Sequence, residues 1–484
     1  MLKEYQMFID GKWVSSVNNT TFLSVNPADG KEWAIFQEAE EDDVNLAIEA
    51  AEKAFNSPEW SNLTVKDRSE LLWKLAQLLK DEKNLEKIAY VETMDWGRPY
   101  HQSVNAVSIA YDYVAYFAGA VDKFNGSVNN VEDNSIFNYA VREPLGVVAA
   151  IIPWNAPTIM AIYKIIPAIT MGNTIVIKPS ECCSAPLLEF VELFKKAGFP
   201  DGVVNVITGA RKAGEKLIGD ARIRKVAFTG SIETGISIAK SAANHLVPGT
   251  FELGGKSPNI IFEDANFEEA VKYASLMFKN TGQTCVAPSR LLVQRSIYDK
   301  FIDRLVEVCK QYKIGNTFNS DTDLGPIATK AQYDKILKYI EIGKSEGATI
   351  ALSEKDFNKS DVDPNGFYLY PTIFINVNNE MRIAQEEVFG PVLSVIPFDS
   401  EEEAIEIANG TKYGLAAAIW TENINRAHKL AKKIKAGTVW INLYHWFSVR
   451  TSFGGYKMSG YGRECGMEVL KEYSQLKNII IKLR

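Results

Sequence analysis

Between residues 145 and 235 the chain alternates continuous apolar runs with amphipathic ones, and this rhythm constrains the fold more than any other feature. Segments 145–152, Thr174–Lys178, 203–207 and 225–228 read as strands with no polar face. Helices are expected at 158–171 and Ala185–Ala197, in a short stretch after 207, and from Gly235 onward. Strands that are apolar on both sides must be covered on both faces. Strand–helix alternation supplies that cover as a parallel sheet between helical layers. Ligands of such sheets sit beyond the carboxyl ends of the strands.

A second alternating block begins at 257–262. It runs through helices at 297–312 and 329–345, a strand at 392–396, the helix Glu401–Asn409 and a strand at 438–442. With 484 residues, two or three domains are expected. The boundary falls near Gly254-Gly255. Upstream, 41–116 is helical: Val44, Ala47, Ile48 and Ala51 keep a helical period, as do Leu71, Leu72, Leu75 and Leu78. Residues 5–14 read as two short strands around an Asp10-Gly11 turn. Residues 123–141 look like a protruding hairpin, and 478–484 like a short strand whose open edge needs a partner.

Composition excludes several functions. There are 53 basic and 60 acidic residues, a formal net charge of −7, so no electrostatic case exists for nucleic acid or an anionic membrane. No uncharged apolar stretch approaches the ~18 residues of a spanning helix. Charges within 1–10 argue against a secretory signal. Five cysteines without regular spacing suggest reduced thiols and a cytoplasmic chain. The four histidines are scattered, so no metal site is expected.

Three side chains stand out chemically. A free cysteine most often serves packing, yet Cys285 follows the small polar run Gly282-Gln-Thr284, an unusual setting for a packing thiol. A thiol whose pKa is lowered is a strong nucleophile. Cys182 and Cys183, at a strand-to-helix junction, are rivals on spacing alone. Glu252 would ordinarily be a solvated carboxylate, but it lies among Phe251, Leu253, Gly254 and Gly255. A partly apolar setting raises a carboxyl pKa and suits a general base. Asn155, in Pro153-Trp-Asn-Ala-Pro157 after a strand, is either a helix cap or an amide donor to a developing oxyanion. The loop from Phe228-Thr-Gly-Ser231 to Gly235 is a suitable place for phosphate but lacks a P-loop lysine.

Together these pieces resemble the NAD(P)-dependent aldehyde dehydrogenase superfamily in its hydrolytic, non-acylating form. The resemblance runs nearly end to end, through Pro153-Trp-Asn155, Ile177-Lys-Pro-Ser-Glu181, Phe228-Thr-Gly-Ser231, Glu252-Leu-Gly-Gly-Lys256, Gly282-Gln-Thr-Cys285, Glu387-Val-Phe-Gly-Pro391 and Phe453-Gly-Gly-Tyr-Lys-Met-Ser-Gly460. It implies an α/β fold: a Rossmann-like NAD-binding domain at 1–121 and 145–253, a second α/β catalytic domain at 254–455, and a β oligomerisation arm from 122–144 and 456–484. It further implies Cys285 as nucleophile, Asn155 with the Cys285 amide as oxyanion hole, and Glu252 as the base that activates water. The dinucleotide would meet Ile152, Trp154, Lys178, Ser180, Glu181, Gly209, Gly230, Ser231, Leu253, Glu387 and Phe389. Glu181 favours NAD over NADP, because a carboxylate accepts from a 2′-hydroxyl and repels a 2′-phosphate. Homodimers or homotetramers are expected.

The substrate pocket implied by the resemblance comprises Ala156, Met160, Tyr163, Thr284, Val286, His445, Phe447 and Phe453. Ala156 stands where many relatives carry an aromatic ring, so the pocket reads as roomy and apolar, suited to a bulky aliphatic or aromatic aldehyde. An NADP-dependent semialdehyde dehydrogenase is the alternative. A coenzyme A-acylating enzyme would generally lack Glu252, and a non-catalytic protein on the same fold would have lost part of the Cys285, Glu252 and Asn155 set.

Overall fold

The computed structural model describes residues 2–357 and 362–484. Two sheets organise it. The first has eight strands in the order Gly460–Tyr461, Gly249–Glu252, Ile223–Thr229, Val147–Ile151, Thr174–Lys178, Val204–Val206, Met7–Ile9 and Lys12–Val14. The five strands from Gly249–Glu252 to Val204–Val206 are mutually parallel, and the flanking strands are antiparallel. The second has seven: Thr349–Leu352, Thr372–Ile375, Val392–Phe398, Arg290–Gln294, Pro258–Ile261, Ala416–Trp420 and Thr438–Ile441. All its pairings are parallel except that of the edge strand Thr349–Leu352.

The absence of a polar face follows from double cover. In Val147–Ile151, Val148 and Ala150 enter one core while Val147 and Ala149 enter another on the opposite face. The second sheet repeats this, with Ile261, Leu291 and Val293 on one side and Ile260 and Leu292 on the other. Burying each such Val, Ile or Leu contributes about 1.5–3 kcal/mol relative to exposure, so a polar substitution on either face costs stability.

Most expected elements lie where the pattern put them, including Thr174–Lys178, Ala185–Ala197 and Glu401–Asn409. The 5–14 hairpin turns through Asp10 and Gly11, both at positive φ, and adds Met7–Ile9 to the sheet edge. The helix expected from Gly235 instead spans Ile232–Ala243. Ser231 is its cap, accepting from the Thr234 amide at 3.3 Å. Gly235 is inside the helix because a Cβ there would fall 2.7 Å from a Leu253 methyl. The last strand is Ser474–Lys482, starting earlier than expected, and it pairs along its whole length with Ile136–Pro144. Ser127–Asn129 completes this three-stranded arm, which leaves one edge of the last strand open among the described residues. Within the same C-terminal stretch, Gly460–Tyr461 and the helix Val469–Glu472 pack on the first lobe.

Candidate active site

The strand Gly249–Glu252 ends at Glu252, and the chain then passes through Leu253, Gly254 and Gly255 into the second sheet. This crossing must be glycine. A Cβ on Gly254 would fall 2.0 Å from a Glu387 carboxylate oxygen, and one on Gly255 would fall 2.5 Å from the Cys285 carbonyl oxygen. Glu252, Cys285 and Glu387 therefore converge on the seam between the two sheets.

The cysteine loop is held from several directions. Asn280, Thr281 and Gly282 take φ of 53°, 54° and 71°, three successive left-handed residues that turn the chain sharply into Cys285. Such backbone is costly without support. Here Gln283, fully buried, gives Nε2 hydrogen bonds to the Asn280 and Pro326 carbonyls and accepts from the Ala328 amide. Thr281 donates to the Gly325 carbonyl at 2.7 Å, and Tyr444 donates to the Val286 carbonyl at 2.7 Å.

Asn155 is not the cap of the following helix. That helix, Pro157–Thr170, has Ala156 at its N-cap, with no side-chain hydrogen bond there. The Asn155 amide instead donates to the Gln283 carbonyl at 3.1 Å, which fixes it beside the cysteine loop. Its own carbonyl accepts from Arg98 at 3.2 Å. Arg98 is in turn paired with Glu92 at 2.7 Å and lies 4.5 Å over the Trp96 ring. Glu92 also accepts from Thr158.

The electrostatics are those of a buried site. Glu252 is 4% exposed, and neither of its carboxylate oxygens has a hydrogen-bond partner among the described residues. Burial pushes its pKa up to about 8, against the pull of the Lys164 and Arg463 cations. Burial, with the Glu387 and Glu252 carboxylates, also pushes the Cys285 thiol up to about 12. Behind Glu252 lies an ion pair between Lys164 and Glu464, both buried. Burial lowers the Lys164 pKa to about 7. Neither partner is evident from sequence spacing, since they come from segments far apart. One signal was available: Lys164 is the sole charged residue of the helix Pro157–Thr170.

The expected dinucleotide residues line up along the carboxyl ends of the first sheet. A cavity of about 460 Å³ there is bounded by Ile152, Trp154, Lys178, Ser180, Glu181, Gly230 and Ser231, with Gly214 and Ile238 from the two adjoining helices. The Lys178 ammonium gives hydrogen bonds to the Pro179 carbonyl at 2.9 Å and the Gly209 carbonyl at 2.5 Å, two of the three its N–H groups can make. Glu181 lies 3.8 Å from that ammonium with its side chain half exposed. The Ser231-capped amides open the helix Ile232–Ala243 at the cavity. A Cβ on Gly214 would crowd Ile151 and Lys178 at 3.2 and 3.4 Å, so a glycine keeps this slot open. Leu253 is buried beneath Gly235. At the far end, Glu387 accepts from the Gly255 amide at 3.0 Å, and Phe389, at positive φ, stands edge-on to Trp154 with centroids 5.5 Å apart. A helix N-terminus and a carboxylate beside it, at the carboxyl ends of a parallel sheet, are groups that suit an adenine dinucleotide.

Half of the expected substrate residues carry aromatic rings. Phe453 joins both lobes, packing against both cores and standing 5.7 Å from Phe447. His445 lies edge-on to Phe447 at 5.2 Å. Burial, with the Lys279 and Arg98 cations, lowers its pKa to about 4, so it is neutral at physiological pH. Tyr163 stacks on Tyr113 at 4.8 Å. Met160 and Ala156 are half-buried on the same helix start, and Thr284 accepts from Asn280 at 3.4 Å. Val286, by contrast, is fully buried in the core of the second lobe. Arg450 is exposed, with its guanidinium 5.7 Å from the Tyr116 ring. Cys182 and Cys183 lie in the first lobe, where burial raises both thiols. Among the described residues, no cluster of His, Cys, Asp and Glu could hold a metal ion, and no helix is long and apolar enough to cross a membrane.

Comparison with known proteins shows the family and the fold. The model of the aldehyde dehydrogenase family matches residues 13–479. Aldehyde dehydrogenase family 2 member C4 of Arabidopsis thaliana is 40% identical over 486 residues, covering 100% of this chain and 96% of the relative. The NAD+ complex structure of an aldehyde dehydrogenase from Bacillus cereus superimposes with a TM-score of 0.96 at 42% identity, covering 100% of this chain and 97% of that one. A betaine aldehyde dehydrogenase from Staphylococcus aureus in complex with NAD+ does so with a TM-score of 0.95 at 40% identity, covering 99% and 94%. The chain belongs to the aldehyde dehydrogenase family.

Proposed function

We propose that this chain oxidises a bulky aliphatic or aromatic aldehyde to the carboxylic acid with NAD+, through a thioester on Cys285. One observation carries the reading. The Asn155 amide is hydrogen-bonded to the loop that carries the thiol, and the thiol feels the charge of Glu252, a buried carboxylate with no hydrogen-bond partner among the described residues. In this reading residues 1–121 and 145–253 bind the dinucleotide, 254–455 supply the cysteine, and the arm joins subunits, with only Ser474–Lys482 of 456–484 belonging to it because the stretch before packs on the first lobe.

The Cys285 sulfur, as thiolate, attacks the aldehyde carbon to give a thiohemiacetal. The oxyanion receives hydrogen bonds from the Asn155 amide and the Cys285 backbone N–H, and one such donor is worth roughly 3–4 kcal/mol of barrier. Bound NAD+ supplies the hydride acceptor and, at its ring, a positive charge beside the thiol. Collapse of the oxyanion leaves a thioester. Glu252, ionised above about pH 8, removes a proton from the water that cleaves it. The Lys164 and Arg463 cations favour the ionised form of Glu252 electrostatically. Lys178 and Glu181 hold the adenosine ribose, Ser180 lies beside them, Gly209 passes the adenine, Gly230 and Ser231 meet the pyrophosphate, and Glu387 with Phe389 holds the nicotinamide end.

The aromatic wall of Tyr163, Phe447 and Phe453 favours an apolar aldehyde. Lys279 and Arg98 lie near His445, so a quaternary-ammonium aldehyde would meet positive potential there. The same two cations support the second reading, an aldehyde ending in a carboxylate. Glu181 argues for NAD over NADP in either case. The open edge of Ser474–Lys482, with Leu476 and Ile480 exposed, supports a homodimer or homotetramer. Five free thiols support a reducing, cytoplasmic setting. Measuring NADH and NADPH formation over a panel of aromatic, long-chain, trimethylammonium and carboxylate-bearing aldehydes tests the assignment. Preference for the trimethylammonium member would overturn the substrate reading.

A further inference from the structure

A second cavity, of about 550 Å³, lies away from the catalytic seam and shares no lining residue with the dinucleotide cavity. Its walls are the helices around Trp60 and Arg68, the turn Thr170–Gly172, and the base of the arm strand at Arg142. Two guanidinium groups border it, and no lining residue is acidic. Neither arginine has a carboxylate within ion-pairing distance among the described residues. Arg68 donates through Nη1 to the Leu63 carbonyl at 2.8 Å, while its Nε is buried without a partner. Arg142 donates to the Ser474 hydroxyl at 2.9 Å and lies 4.5 Å over the Phe124 ring. Trp60 spends its indole N–H on the Gly172 carbonyl, so it offers the cavity only apolar surface.

Two half-buried, unneutralised guanidiniums flanked by aromatic carbon are a recognition set for a planar oxyanion on an apolar body. We infer that this cavity binds a small organic carboxylate, held between Arg68 and Arg142 with its apolar part against Trp60 and Phe124. Phosphate shares the oxyanion chemistry but not the apolar body, so it should bind more weakly. The cavity touches two functional elements. Thr170 ends the helix that begins beside Asn155 and carries Lys164, and Arg142 joins the arm strand to the C-terminal strand. An occupant would therefore brace the arm against the first lobe, independently of the identity of the aldehyde.

The test is calorimetric titration of the full-length protein with sodium benzoate and, separately, with inorganic phosphate, using wild type, Arg142→Gln and Arg142→Lys. Expected is a benzoate site that weakens tenfold or more in Arg142→Gln and a few-fold in Arg142→Lys, with kcat for aldehyde oxidation unchanged. Arg142→Lys keeps the charge and serves should the glutamine variant fail to fold. A phosphate site tighter than the benzoate site, with the same dependence on Arg142, would retain the oxyanion site and overturn its assignment to an organic carboxylate. Binding of both anions unchanged in the two variants, or absent from wild type, would overturn the site itself.

Discussion

The dinucleotide wall lies along the first sheet and the cysteine seam between the two sheets, and they treat polar groups in opposite ways. Along the wall, Lys178 is already hydrogen-bonded to two carbonyls, Glu181 is half exposed and Ser231 caps its own helix. Such groups need little from a ligand to be stable. At the seam, among the described residues, Glu252 is buried with no hydrogen-bond partner and Lys256 likewise has an unpartnered ammonium. A buried polar group without a hydrogen-bond partner is costly, and perturbed groups of this kind concentrate where chemistry is done. On the proposed reading the wall should tolerate substitution piecemeal, whereas single changes at the seam should have large effects.

Breaking the seam at its nucleophile should have the largest consequence. Cys285→Ala should lose roughly 10⁴-fold or more in kcat, with NAD+ affinity retained in a fluorescence titration. Retained turnover would move the nucleophile elsewhere. Asn155→Ala should lose about 10²–10³-fold in kcat, with a smaller change in KM. A KM-only effect would make Asn155 a binding group. The pH dependence sharpens the contrast. Because burial raises Glu252 to about 8, the base form is scarce at neutral pH. Where thioester cleavage limits turnover, kcat should rise about tenfold per pH unit below pH 8 and level off above it, whereas NAD+ affinity should stay flat over that range. The smallest effect belongs to the wall: Glu181→Ser should shift the NADP-to-NAD ratio of kcat/KM by roughly tenfold toward NADP through lost repulsion. An unchanged ratio would remove Glu181 from the ribose site.

The sequence was most legible where one local rule acts alone. Thr174–Lys178 is five consecutive residues buried on both faces, and Ala185–Ala197 ends at Gly198 in the left-handed conformation that only a glycine adopts freely. It misled where a glycine had two possible uses. Gly235 read as a helix boundary because glycine usually marks one, but it is there to admit Leu253. Glu252, Cys285 and Asn155 could be picked out by their surroundings, yet their convergence depends on close approaches at Gly254 and Gly255 that no spacing reveals. Arg98 and the Lys164–Glu464 pair escaped notice because their partners come from the fold, not the neighbouring sequence. Among these, only the lone lysine in an apolar helix left a trace.

The most direct test of the seam is intact-protein mass spectrometry of Glu252→Gln, mixed with NAD+ and an aromatic aldehyde and quenched after the first turnover. The account predicts one equivalent of NADH per active site, a mass increase equal to the acyl group that maps to the Cys285 peptide, and slow decay of that adduct. Full steady-state turnover with no acylated protein would contradict it.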